Sequence, residues 1–155
     1  MTYPGGRYER FNKDGSSVKY DGKDLTISMD KNGNEHKAWA DGRSEGTIVY
    51  PTTAAKTWKK DKDGNYEETN SKGTFYKKAD GSEGGTRLDG SSWSKVNGII
   101  TNKDKDGNTS ITDADGNYSY ENVNGDRGYT NKDGSSGIFK KDGSSYEKKA
   151  DGSWK

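Results

Sequence analysis

Apolar and polar residues alternate along this chain in short runs. Leu25, Ile27 and Met29 are separated by single polar residues, and Val18 and Tyr20 follow the same spacing. A period of two places apolar side chains on one face of an extended strand, whereas a helix repeats about every 3.6 residues. The pattern therefore predicts short β-strands.

Glycine turns separate these strands at a regular interval. An Asp-Gly, Asn-Gly or Lys-Gly dipeptide occurs fifteen times, and from Gly64 onward the glycines are eight or nine residues apart. The glycines are Gly15, Gly22, Gly33, Gly42, Gly64, Gly73, Gly81, Gly90, Gly98, Gly107, Gly116, Gly125, Gly134, Gly143 and Gly152. These dipeptides suit the positive φ angles of tight hairpin turns, and a glycine at this interval would break a helix. The nine-residue repeat therefore predicts an all-β fold, an antiparallel meander of about 14–16 short strands.

The length of each turn decides which side chains face one another. With two-residue turns, the fourth residue after each turn glycine faces its counterpart on the next strand. Four neighbouring strands then carry a large apolar or aromatic residue in one cross-strand row: Ile111, Tyr120, Tyr129 and Ile138. On the opposite side of the sheet Phe139 faces Tyr146, and these six residues form the predicted assembly or binding face. A three-residue loop with a glycine bulge is the alternative, and it would shift the register and break the row.

The chain is interpreted as a single β-repeat domain, residues 1–155, in three parts. Residues 1–45 form an irregular meander, and residues 63–155 form the regular hairpin array. Residues 46–62 lack a turn dipeptide and hold an apolar cluster: Ile48, Val49, Tyr50 and Trp58. Pro51 argues against an unbroken central strand, so this segment is interpreted as an edge, a crossover or a docking segment. After the last turn, a partial strand presents Trp154 at the C-terminal edge.

The composition limits how much of such a sheet can be buried. Hydrophobic residues make up 25% of the 155 residues, charged residues make up 33%, and the mean hydropathy is -1.36. A two-layer domain needs more apolar surface than this to offset the loss of chain entropy. We expect a thin sheet exposed to solvent on both faces, with two stacked sheets as the alternative. Disorder is less consistent with the 11% aromatic content and with the near balance of 26 basic and 25 acidic residues.

Neither the charge nor the residue types indicate catalysis or a nucleic-acid partner. A net charge of +1 provides no overall field for nucleic acid or an anionic membrane. No run approaches ~20 apolar residues and no signal-peptide pattern is present, so we expect a soluble protein without a membrane span. Its compartment stays open, extracellular assembly included. There is no cysteine and a single histidine, His36, so we expect no enzyme activity, no metal and no cofactor.

One segment has the spacing of an oxygen-ligand calcium loop. Residues 102–113 run from Asn102 through two aspartates and Gly107 to Asp113. Gly107 also falls on the nine-residue interval, and no helix is predicted on either side. A hairpin turn is therefore the preferred interpretation of this segment.

The turn segments resemble a known repeat. Residues 103–108, with the sequence KDKDGN, and the DGS or DGN turns at Gly81, Gly116, Gly134, Gly143 and Gly152 are similar to the G-box repeat of centriolar scaffold proteins. The resemblance covers residues 63–155 and more loosely residues 8–45. It implies a free-standing, single-layer antiparallel sheet that binds a proline-rich peptide and associates end to end. This chain departs from the family pattern because it lacks the frequent Tyr-Pro or Phe-Pro before the turn, and no specific binding residue can be matched. A weaker likeness to bacterial YD-type hairpin repeats rests on residues 111–118.

Two functions fit this architecture. The first is a structural, self-associating protein that forms filaments or higher-order assemblies through sheet edges and aromatic faces. The alternative is a non-catalytic binding module that holds a proline-rich peptide or a glycan on exposed aromatic rows. The expected partners are accordingly a second copy of the chain, a peptide or a glycan. The uniform Lys-Asp-Gly-Ser repetition also fits a designed scaffold without a partner.

Overall fold

A computed structural model describes all residues from Met1 to Lys155. The chain forms sixteen antiparallel strands in sequence order, eight in a first unit, Met1–Asp80, and eight in a second unit, Gly81–Lys155. The predicted antiparallel meander is therefore confirmed. The one helical segment is a 3-10 turn at Pro4–Gly6, and no helix is long enough to cross a membrane.

The strands of both units are short, with four or five residues each. Those of the first unit are β1 (Tyr8–Phe11), β2 (Ser17–Tyr20), β3 (Leu25–Met29), β4 (Glu35–Trp39), β5 (Ser44–Ile48), β6 (Lys56–Lys60), β7 (Tyr66–Asn70) and β8 (Gly73–Lys77). Those of the second unit are β9 (Glu83–Arg87), β10 (Ser92–Val96), β11 (Ile99–Lys103), β12 (Thr109–Thr112), β13 (Tyr118–Glu121), β14 (Arg127–Thr130), β15 (Ser136–Phe139) and β16 (Ser145–Lys148).

Most hairpins of the repeat are closed by three-residue loops. In the loop between β12 and β13, the N–H of Asp113 donates to the carbonyl of Asn117 at 2.9 Å, and the N–H of Gly116 donates to the carbonyl of Asp113 at 3.2 Å. This is a turn followed by a glycine bulge, and the glycine lies in the left-handed region with φ 92°. Two-residue turns occur after Asn70 and after Val96.

The expectation of two-residue turns throughout the repeat was therefore wrong. Each glycine bulge adds one residue to the connection, and this shifts the pairing of the next strand by one position. Ile111 pairs with Ser119 rather than Tyr120, and Tyr129 pairs with Ser119 and Gly137. The predicted row of apolar residues does not form, because its members alternate between the two faces of the sheet.

Aspartate side chains organise these loops in two ways. In the loop after β11, Oδ1 of Asp104 accepts the N–H groups of Asp106 and Asn108, each at 2.9 Å, and its Oδ2 accepts the Asn108 side-chain amide at 2.7 Å. In the loop after β14, Oδ1 of Asp133 accepts both the N–H and the hydroxyl of Ser135, at 2.8 and 2.6 Å. The Asp-x-Asp-Gly-Asn and Lys-Asp-Gly-Ser sequences are thus two solutions for the same loop. The Asp104 carboxylate, which suggested a calcium loop, is engaged in the turn.

In the second unit, loops at the same end of the strands are also joined to one another by hydrogen bonds. Oδ1 of Asn108 accepts the N–H of Val123 at 2.9 Å, and Oδ1 of Asn117 accepts the N–H of Lys132 at 3.0 Å. Each bond joins two loops that are separated by a pair of strands. An asparagine side chain at the end of one loop therefore stabilises the next loop on the same side of the sheet in addition to its own turn.

Neither unit contains a hydrophobic core. No hydrophobic side chain is buried, and the buried polar residues are Ser82 and Ser91, each 8% exposed. The predicted thin, solvent-exposed sheet is confirmed. Because a second layer is absent within each unit, cross-strand side-chain pairs and the backbone ladder supply the stability.

Residues 46–62 are part of the meander of the first unit. β5 and β6 pair in antiparallel fashion from Ser44 with Lys60 to Ile48 with Lys56, and residues 49–55, which include Pro51, form the connecting loop. The proline therefore lies outside the strands. The division of the chain into three parts along the sequence stays a prediction.

Candidate binding face

The two faces of the first unit differ in chemistry. Side chains alternate between faces along each strand, and one face carries ion pairs between neighbouring strands. Lys37 pairs with Glu45 at 3.2 Å and Lys59 pairs with Glu67 at 3.4 Å. We call this side the charged face, and its central row consists of Glu9, Lys19, Ile27, Lys37, Glu45, Lys59, Glu67 and Tyr76.

The opposite side of the first unit, the aromatic face, holds three neighbouring rings. The Trp58 indole and the His36 imidazole have centroids 5.4 Å apart at an interplanar angle of 26°. The Trp58 and Tyr66 rings are 6.3 Å apart at 25°. We call His36, Trp58 and Tyr66 the Trp58 platform.

A glycine in the neighbouring strand makes this platform possible. Gly46 lies in register between His36 and Trp58, and the indole of Trp58 covers it. A Cβ at this glycine would lie 2.7 Å from Nε1 and 2.8 Å from Cε2 of Trp58. Ordinary van der Waals contact begins at about 3.5 Å, so only glycine leaves room for the ring.

Hydrogen bonds to a carboxylate fix the second ring of the platform. The Tyr66 hydroxyl donates to Oε2 of Glu68 at 2.6 Å, and Glu68 also accepts from the Asn70 amide at 2.9 Å and from Lys56 at 3.5 Å. Desolvation and the Glu68 carboxylate raise the pKa of Tyr66 to about 12. The hydrogen bond from Tyr66 lowers the pKa of Glu68, so Glu68 is ionised at neutral pH. This network holds the phenol ring beside the indole.

The indole N–H of Trp58 has no acceptor within the protein. Trp58 contacts His36 and Tyr66 through its ring, and none of its hydrogen-bonding atoms is both buried and unsatisfied. The N–H is therefore within reach of solvent, and a bound ligand can use it as a hydrogen-bond donor.

The six residues predicted as one assembly or binding face are divided between the two faces of the second unit. One face carries Ile111, Tyr129 and Phe139, and the other carries Tyr120, Ile138 and Tyr146. Phe139 pairs with Ser145, whereas Tyr146 pairs with Ile138. The predicted pairing of Phe139 with Tyr146 was therefore wrong. The cause is the one that breaks the predicted apolar row: the bulged loops shift the register by one residue.

Each face of the second unit nevertheless has its own aromatic contacts. Tyr129 stacks on Phe139 at 6.3 Å and 27°, and the Arg127 guanidinium lies 5.6 Å from the Phe139 centroid. This side forms a shallow depression of about 340 Å³. Tyr120 and Tyr129 cover the glycines opposite them, Gly128 and Gly137, as Trp58 covers Gly46.

The predicted docking segment contributes one residue to the platform. Val49 and Tyr50 lie exposed in the loop between β5 and β6, where the N–H of Val49 donates to Oδ1 of Asn34 at 2.8 Å. Ile48 ends β5 opposite Lys56, and Trp58 belongs to the Trp58 platform. The other platform residues were not identified from sequence, because their proximity depends on the register between strands.

The residue predicted at the C-terminal edge, Trp154, pairs with Lys148 in an isolated antiparallel bridge. Its side chain is 68% exposed. The adjoining N–H of Lys155 donates to the carbonyl of Glu147 at 2.9 Å, so this segment continues the meander beyond β16.

Solved structures share this fold. No protein-family model and no curated protein sequence matches the chain. The TCP10 domain of Danio rerio CPAP is similar at 19% identity with a TM-score of 0.66, over 100% of this chain and 96% of that chain. A CPAP G-box domain is similar at 18% identity with a TM-score of 0.60, over 93% and 99%. The SAS-4 TCP domain of Drosophila melanogaster, in complex with a proline-rich motif of Ana2, is similar at 14% identity with a TM-score of 0.58, over 100% and 92%. The G-box type of fold expected from the turn segments is thereby confirmed.

Proposed function

We propose that this chain is a non-catalytic scaffold module that binds an extended, proline-rich segment of a partner protein on the Trp58 platform. The observation that carries the proposal is a preformed group of aromatic rings on an open sheet face, with an unsatisfied indole N–H at its centre. Support also comes from the similar SAS-4 TCP domain, which has been solved with a proline-rich motif of Ana2.

A proline-rich segment matches the chemistry of the platform. Such a segment adopts a polyproline II helix, which has no internal hydrogen bonds and leaves its carbonyl groups open to external donors. Its pyrrolidine rings pack on flat aromatic surfaces, and the helix is largely formed before binding, so little conformational entropy is lost. The rings of Trp58 and Tyr66 supply the apolar surface, and the Trp58 N–H supplies the donor.

Fluorescence anisotropy with a labelled oligoproline peptide tests the proposal. Trp58→Ala removes the central ring and should weaken binding at least about ten-fold, as truncation of an aromatic anchor does at other interfaces. Trp39→Ala is the matched control, because Trp39 lies on the charged face against the Arg43 guanidinium, 5.0 Å from its ring centroid. Equal affinities of the two variants, with unchanged circular dichroism spectra, would contradict the proposal. A panel of oligosaccharides in the same assay tests a glycan as the alternative ligand.

Self-association is the second candidate function, and the second unit favours it. Ile111, on one face, is 43% exposed, while Tyr146, on the other, is 58% exposed. Apolar side chains on both faces of one layer provide surfaces on which copies of the chain can stack. Negative-stain microscopy and sedimentation of the purified protein test this candidate. Filaments or large oligomers that Tyr146→Lys disperses would support it, and a monomer at all concentrations would exclude it.

A further inference from the structure

The strand lysines of the first unit are all ion-paired on the charged face but only partly so on the aromatic face. On the charged face, Lys19, Lys37 and Lys59 each lie within 3.7 Å of a glutamate carboxylate. On the aromatic face, Lys60 and Lys77 form no ion pair. The aromatic face therefore carries positive charge that its own residues do not balance.

The two unpaired lysines flank a ring of the Trp58 platform. Tyr66 pairs in register with Lys60 on β6 and with Lys77 on β8. Neighbouring strands are about 4.8 Å apart, so the two lysine backbones are separated by roughly 10 Å with the tyrosine between them. The long side chains can converge above this ring on a single anionic group.

The one acidic strand residue on the aromatic face is already engaged. Glu68 accepts hydrogen bonds from Tyr66 and Asn70 and forms an ion pair with Lys56 at 3.5 Å. Its side chain is 18% exposed, so it has little free surface to attract the other lysines. Glu68 therefore does not neutralise Lys60 and Lys77, and their exposed ammonium groups are available to an anionic ligand.

We propose that the aromatic face of the first unit selects acidic peptides, in which a glutamate or aspartate carboxylate is held between Lys60 and Lys77. The inference rests on the proposed function, because the same peptide places an apolar residue or proline on the Trp58 platform. Trp58 and Lys60 are two residues apart on β6, a separation of about 6.6 Å. Two residues of a polyproline II helix cover about 6.2 Å, so the carboxylate lies about two residues from the docked proline.

Two labelled peptides separate this inference from the proposed function. One is a short oligoproline with a central glutamate, and the other has glutamine at that position. The wild-type chain should bind the glutamate peptide roughly two- to thirty-fold more tightly at low salt, the range expected for two exposed ion pairs. The preference should shrink as salt is added, because the Debye length falls.

The K60Q/K77Q variant should lose the preference and keep its affinity for the glutamine peptide. Lys59→Gln is the control, since Lys59 adjoins Lys60 in sequence but pairs with Glu67 on the charged face. It should retain the full preference. Equal binding of the two peptides by the wild-type chain would overturn acidic selectivity and leave the proposed function intact. Failure of both peptides to bind would overturn the two proposals together.

Discussion

Replacement of Gly46 by alanine tests whether the Trp58 ring requires a glycine beneath it on the neighbouring strand. The added Cβ would lie 2.7 Å from the carbonyl oxygen of Glu35 and equally close to Nε1 of Trp58. The backbone carbonyl cannot move without disturbing the β4–β5 ladder, and the indole can move only by leaving the platform. The φ angle of Gly46 is not in the left-handed region, so the contacts alone decide the effect.

The expected change in the free energy of unfolding of Gly46→Ala is the sum of two opposing contributions. Overpacking of this kind destabilises by about 1–3 kcal/mol. Replacing glycine by alanine restricts the unfolded chain and recovers about 0.4–1 kcal/mol. We expect Gly46→Ala to lower the free energy of unfolding by about 1–2 kcal/mol and to weaken peptide binding as Trp58→Ala does.

Urea unfolding followed by circular dichroism measures the stability term, and fluorescence anisotropy measures binding. Gly137→Ala is the comparison variant, because the three atoms nearest to its Cβ would all lie at the far end of the Tyr129 side chain, Cε1 at 2.5 Å. That ring can rotate away, so Gly137→Ala should lower the free energy of unfolding by less than Gly46→Ala does. A Gly46→Ala variant as stable as the wild type, with normal peptide affinity, would show that the Trp58 ring does not require a glycine beneath it.

Two further predictions concern the loops. The Asp104 and Asp133 carboxylates accept hydrogen bonds from Asn108 and Ser135 respectively, and these bonds lower the pKa of both aspartates below the ordinary value of 3.8. A pKa that is lower in the folded than in the unfolded protein contributes stability that is present above the unfolded value of 3.8 and is lost as the pH falls through the folded value. Unfolding by acid should therefore begin below about pH 4. A urea midpoint that stays constant from pH 5 to well below pH 3 would count against this prediction. Asn108→Ala removes both the bond to Asp104 and the bond from Val123, and should destabilise by about 1–3 kcal/mol in urea titrations. Asn108→Ser, which can restore the first bond but not the second, should recover about half of the loss, and full recovery would show that the link between loops contributes nothing.

The hairpin architecture could be predicted because it is encoded locally. A glycine that must adopt positive φ is visible in the sequence, and fifteen of them, eleven at an interval of eight or nine residues, leave few alternatives to a meander. The absence of a core followed from composition in the same way. Both features depend on residue type and spacing along the chain, and neither needs information about which strands pair.

The register was not predicted correctly because Asp-Gly occurs in two kinds of hairpin loop. It fits the two-residue turn and also the last two positions of the bulged three-residue loop. The deciding signal lies outside the dipeptide, in residues such as Asp113 and Asn117, which are four apart and bond to one another across the loop. Most repeats carry either this pair or the Asp-Gly-Ser arrangement, and both favour the longer loop.

The candidate site depends on that register. Trp58 was identified as part of an apolar segment, but its contacts with His36 and Tyr66 join residues on three different strands, β4, β6 and β7. A strand glycine opposite an aromatic residue is the signal that sequence reasoning missed. It occurs at Gly46, at Gly128 and at Gly137, and in each case an aromatic ring covers the glycine.

The most direct test of the central claim is a map of the peptide-binding surface by two-dimensional amide NMR during titration with an oligoproline peptide. If the peptide binds on the Trp58 platform, the Trp58 indole N–H signal should shift most, together with backbone signals of Tyr66 and Gly46. Signals from residues of the charged face, such as those around Lys37, should move little. Shifts confined to the second unit or to the charged face, with the Trp58 indole unchanged, would contradict the account.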